Sequence, residues 1–168
     1  MFSYHENQIP KYYILKYLLN ASKNNNPDAL EKLISRFSNT HIINTGDSYS
    51  VTNLHWSTLL GYAKNVEILL RHGANANVVD SDGWTPLHHA ADFGYFDIAR
   101  LLIDYRANPN SISNEGWSPL GLAMHEGYSS VVSLLQSIGA KTCMPKDIVD
   151  KSFEQKRVPS SRPIAKPM

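Results

Sequence analysis

Asp80-Ser-Asp-Gly-Trp-Thr-Pro-Leu-His-His-Ala-Ala-Asp-Phe-Gly94 and Ser113-Asn-Glu-Gly-Trp-Ser-Pro-Leu-Gly-Leu-Ala-Met-His-Glu-Gly127 are two copies of one pattern, displaced by 33 positions. The register carries outward: Gly83 matches Gly116, Trp84 matches Trp117, Pro86 matches Pro119, Leu101 matches Leu134 and Ala107 matches Ala140. A period of this length marks a stack of small supersecondary units, none of which can bury its apolar face alone. One step back lies a weaker third copy, Asp47, Thr52, Leu54, His55, Gly61, Leu69 and Ala74, without the turn glycine and the proline. Farther back, Leu18, Leu30, Leu33 and Ile34 fit that copy only with a step of 36, so the first unit is divergent.

Each repeated residue has a physical task. Gly83 and Gly116 supply the positive φ of a tight turn. Thr85 or Ser118 caps a helix, and Pro86 or Pro119 fits its first turn, where the missing N–H would be unpaired anyway. A second helix, richer in Leu, Ile and Val (Ile98, Ala99, Leu101, Leu102), follows a glycine suited to a left-handed cap and ends near Gly73 or Gly139. The pattern therefore predicts a turn and two antiparallel helices per unit. Arg106 stands where Gly73 and Gly139 stand, which implies a strained or altered helix end.

The best copy, Asp80-x-x-Gly83-x-Thr85-Pro-Leu-His88-x-Ala90-Ala91-x-x-Gly94 with Leu101-Leu102, resembles the ankyrin repeat family, and the resemblance covers about residues 10–141. It implies an all-α solenoid of antiparallel helix pairs with β-turn fingers: a capping pair near 10–37 and units near 47–79, 80–112 and 113–141. His88 has a counterpart in His55, but Gly121 takes that place in the last copy, so any bond from this histidine to the helix-start hydroxyl is lost there. The resemblance also assigns Asn77 and Asn110, in the linking turns, a bond to the backbone.

Composition limits the chemistry. The 168 residues suit one domain, and 42% hydrophobic content supplies a core. Cys143 is the single cysteine, which excludes an internal disulfide and a thiolate-rich zinc site; a plain thiol in a reducing compartment is expected. The first twenty residues lack a basic leader, and no apolar run approaches the length of a membrane span, so neither a classical secretion signal nor a span is expected. Adjacent His88 and His89 would point about 100° apart on a helix and do not converge on one ion. No phosphate loop, nucleophile elbow or metal-ligand spacing occurs, so neither enzymatic activity nor a cofactor nor a metal is expected.

From Lys141 the period stops. Residues 142–168 read as a basic tail, with a short amphipathic helix near 145–156 and a disordered proline-containing end. Counted from Lys141, the tail carries 7 Lys+Arg against 3 Asp+Glu, leaving residues 1–140 at −3. Those cations form no dense run and only Phe153 accompanies them, so nucleic acid is not the expected partner.

Trp84 and Trp117 stand in the fingers, where a tryptophan is not expected to reach the stacked helices easily. They read either as binding anchors or as stiffeners packed on each other along the fingers. In the family that the sequence resembles, the finger tips and the short first helices form a concave binding surface. The matching positions are Tyr49, Val51, Leu59, Leu60, Asp82, Trp84, Asp92, Phe93, Glu115, Trp117, His125 and Glu126. Aromatic residues in an acidic setting suit protein recognition. The expectation is a monomeric, cytoplasmic, non-catalytic module that binds a protein partner, with no small-molecule substrate, as adaptor or stoichiometric inhibitor. The alternative is a bacterial or viral effector that captures a host protein and uses its tail for targeting or export.

Overall fold

The computed structural model describes residues 11–37 and 40–145. The expected tail helix near 145–156 and the expected disorder beyond it fall on residues 146–168, outside the described residues. Helices α1 (Lys11–Lys23) and α2 (Pro27–Phe37) form the first pair. A single turn, α3 (Thr40–Ile43), which the repeat pattern does not predict, follows and buries Ile42 and Ile43. The next pairs are α4 (Asn53–Leu59) with α5 (Ala63–Arg71), α6 (Pro86–Asp92) with α7 (Phe96–Asp104), and α8 (Pro119–Glu126) with α9 (Ser129–Ser137). No strand occurs among the described residues.

The helices stack in two rows, α1–α4–α6–α8 and α2–α5–α7–α9. Their apolar residues meet at the period of the sequence. Leu54, Leu87 and Leu120 from the first row, and Leu69, Leu102 and Leu135 from the second, are all buried. Each contributes about 1.5–3 kcal/mol by leaving water. Thr52, Thr85 and Ser118 cap α4, α6 and α8, their hydroxyl oxygens accepting from the N–H groups of His55, His88 and Gly121.

Two further repeated positions join neighbouring units. Asn44, Asn77 and Asn110 accept, through Oδ1, the N–H groups of Asn75 (2.8 Å), Asn108 (2.6 Å) and Lys141 (2.7 Å) in the next linking turn. Asn77 also donates to the Arg106 carbonyl at 2.9 Å. Tyr95 and Tyr128 lie over Gly61 and Gly94 of the preceding unit, so closely that a Cβ on either glycine would strike the ring. The turn at Arg106 is left-handed, with φ +65°, the conformation of Gly73 and Gly139.

At the C-terminal end the missing histidine has a spatial explanation. The Cys143 carbonyl accepts from Ser118 N–H at 3.0 Å, and Cys143 N–H donates to Ser118 Oγ at 2.8 Å. A Cβ on Gly121 would overlap that carbonyl. Residues 141–145 thus enter space vacated by the histidine and cover the last unit as a non-helical segment.

Candidate functional site

Three hairpins lead into α4, α6 and α8. Each is closed by a backbone bond, Asp47 N–H to Val51 O (3.1 Å), Asp80 N–H to Trp84 O (3.0 Å) and Ser113 N–H to Trp117 O (2.9 Å). The Asp80 carboxylate accepts the N–H groups of Asp82 and Trp84, and Asp47 does the same for Tyr49 and Val51. An aspartate at this place therefore shapes the loop. Neighbouring hairpins are bonded side by side, Ser81 N–H to Tyr49 O and Asn114 N–H to Asp82 O, both at 3.0 Å. Tyr49, Asp82 and Glu115 consequently occupy one position on three aligned tips, and all three are exposed; Tyr49 is 68% exposed.

Trp84 and Trp117 depart from expectation. They are only 4% and 7% exposed. Each ring folds back over the helix its own hairpin precedes: Trp84 lies 5.8 Å from the His88 ring and 5.1 Å from His89, and Trp117 lies 5.2 Å from His125. The hairpin is short enough for an indole to reach its own helix, so these side chains belong to the framework of the surface. Val51, at the same position, is half-buried.

Along the first-helix row, Leu59, Leu60, Asp92, Phe93 and Glu126 are half-buried and His125 is exposed. Phe93 stacks on Tyr95 with ring centroids 5.8 Å apart. His125 Nδ1 meets Glu126 Oε1 at 2.9 Å. Trp56 holds the register position of His89, and the 33-residue period is the signal in the sequence that marks it. Lys23 Nζ sits 3.8 Å from its ring centroid, a cation–π contact at the N-terminal end of the row.

The buried histidines act as clamps between units. Nδ1 of His88 accepts Thr85 N–H at 3.0 Å, so the ring proton lies on Nε2, which donates to the Trp117 carbonyl at 3.0 Å. His55 repeats this with Thr52 N–H (3.2 Å) and the Trp84 carbonyl (3.1 Å). Burial pushes both pKa values down to about 4, with His89 adding to the effect on each. His89 turns the other way, to Asp80 at 3.4 Å. Burial opposes ionisation of Asp80, but the bonds from His89 and Trp84 N–H outweigh it and hold the carboxyl below its usual range. His88 and His89 thus serve different neighbours, and among the described residues no three His, Cys, Asp or Glu side chains are placed to hold a metal ion.

Cations of the three later units are confined to one face, whereas acids occur on both. Segments 45–62, 78–95 and 111–128, the hairpins with the first helices and the turns after them, hold Asp47, Asp80, Asp82, Asp92, Glu115 and Glu126 and contain neither Lys nor Arg. The cations of these units, Lys64, Arg71, Arg100, Arg106 and Lys141, lie on the second helices or just beyond them. A groove of 330 Å³ between α5 and α7 mixes both signs, with Lys64, Glu67, Asp97 and Arg100 on its walls. No helix among the described residues is long and apolar enough to cross a membrane.

A family model described as ankyrin repeats (3 copies) matches residues 18–113 and 72–146. No curated protein matches the chain.

Proposed function

Because the chain belongs to the ankyrin repeat family, whose members are generally non-catalytic protein–protein interaction modules, we propose that it acts by occupancy, as an adaptor or stoichiometric inhibitor in the cytoplasm. Its partner is a protein, held across the hairpin tips and the first-helix row. The observation that carries this reading is the alignment of Tyr49, Asp82 and Glu115 on three hairpins bonded edge to edge. Such a row is rigid before binding, so little side-chain and loop ordering opposes association. Leu59, Leu60 and Phe93 supply apolar contact beside it, and Asp92, His125 and Glu126 supply polar contact. Val51, Trp84 and Trp117 support the row from beneath.

The test is a crosslinking capture from cell extract that compares the natural protein with the double variant Tyr49→Ala, Phe93→Ala. The expected outcome is loss of the captured partner with unchanged helicity, each truncation costing about 1–2 kcal/mol of binding. Equal capture by both proteins would overturn the reading. Tryptophan variants are unsuitable here, since removing a buried indole leaves a cavity and confounds binding with folding.

A further inference from the structure

The hairpin face is anionic, free of Lys and Arg through three successive units, and it carries exposed Tyr49 beside Asp82 and Glu115. A face of this kind favours a cationic segment with little acidic content. One such segment belongs to the same chain: residues 155–168 contain Lys156, Arg157, Arg162 and Lys166 and no Asp or Glu. The path between the two is short. The described chain ends at Pro145, whose Cα would lie 3.9 Å from a Cβ on Gly116, at the tip of the last hairpin. From there Arg157 is twelve residues on, a reach of up to about 40 Å extended and about 18 Å as the helix expected near 145–156. The two preceding hairpins lie one and two units away, about 10 and 20 Å at ordinary helix spacing.

We propose that the basic C-terminal segment of this chain occupies its own hairpin face and competes with the protein partner for it. The proposal rests on the hairpin face being the binding surface and adds a regulation to it. Tethering raises the effective concentration of the segment to about the millimolar range. Even a weak electrostatic contact is then populated, and a partner must displace it. Asp82 and Glu115, both exposed, are the anionic contacts; Lys23 over Trp56 marks where the anionic strip ends.

The test uses the full chain. Cys143→Ser removes the single native thiol, Ala165→Cys accepts a nitroxide, and amide signals are read by NMR. At about 0.01 M salt, where the Debye length is about 30 Å, the amides of residues 81–83 and 114–116 broaden. At about 1 M salt, where it is about 3 Å, the broadening is lost. Asp82→Lys with Glu115→Lys abolishes it, and adding Arg157→Glu, Arg162→Glu and Lys166→Glu to that variant restores it, which also shows that the variant is folded. Broadening that survives in the Asp82→Lys, Glu115→Lys variant overturns the proposal, as does its absence at low salt. Broadening seen only between a labelled and an unlabelled copy in a mixed sample overturns the intramolecular form in favour of a second copy. If capture of a partner depends on Tyr49 and Phe93 while no broadening occurs, the tail proposal alone falls; the reverse result removes the capture reading.

Discussion

At the scale of single residues, His55 and His88 join the helix start of one unit to the carbonyl of the next hairpin, and they do so only while neutral. Protonating Nδ1 removes the acceptor of the Thr52 or Thr85 N–H. Both folded pKa values are about 4, against 6.5 for an unperturbed histidine. Between these values the unfolded chain binds protons that the folded chain excludes. The contribution is therefore complete above pH 6.5 and declines as pH falls toward 4, by about 3 kcal/mol per histidine at most. Asp80 titrates below its usual 3.8 and so acts beneath that window. Unfolding free energies from urea titrations should fall steadily from pH 7 to 4.5, with a slope approaching two protons taken up on unfolding; a flat profile would refute the clamp. Arg106 is the other residue with a testable cost. At φ +65° its Cβ crowds the following carbonyl, by about 1–2 kcal/mol, while glycine escapes the clash but gives the unfolded chain more freedom. Arg106→Gly should raise stability by up to about 1 kcal/mol, read from the denaturation midpoint. A lower midpoint would mean that the arginine side chain makes a stabilising contact.

Among the elements, the weak junction is the one between the capping pair and the first clear unit. Where later units place Pro86, Ala90, Ala91 and Ile98, this unit has Asn53, Ser57, Thr58 and Asn65, all buried. Asn65 donates to the Ser22 carbonyl and Ser22 Oγ to Asn53 Oδ1, both at 3.3 Å. Ser57 Oγ, Thr58 Oγ1, Asn53 Nδ2 and Asn65 Oδ1 have no hydrogen-bond partner. An unsatisfied buried polar group costs about 1–3 kcal/mol. Ser57→Ala with Thr58→Ala should raise the unfolding midpoint and slow amide exchange in α1 and α2. No change in either measurement would indicate that the hydroxyls are already satisfied by water.

Over the whole molecule, stability is distributed along a stack, and so was the information. The period of 33 determined the helix pairs, the caps at Thr52, Thr85 and Ser118, and the buried leucines, because each depends on contacts that recur locally in every unit. It also pointed to the left-handed turn at Arg106, since Gly73 and Gly139 occupy the same position. Other features depended on what approaches from a neighbouring unit. A tryptophan between a turn glycine and an N-cap can point outward or fold back; only the positions of His88, His89 and His125 decided that both rings are buried. Gly121 looked like a lost histidine, and only the path of residues 141–145 revealed that its missing side chain makes room for the Cys143 carbonyl. Composition gave the net charge of residues 1–140, but its division into a hairpin face with acids and no Lys or Arg and second helices that carry both signs required the stacking of the units. Local propensity and repetition thus determine the architecture from sequence, whereas exposure and charge geometry are set by packing between units and appear only in the tertiary structure.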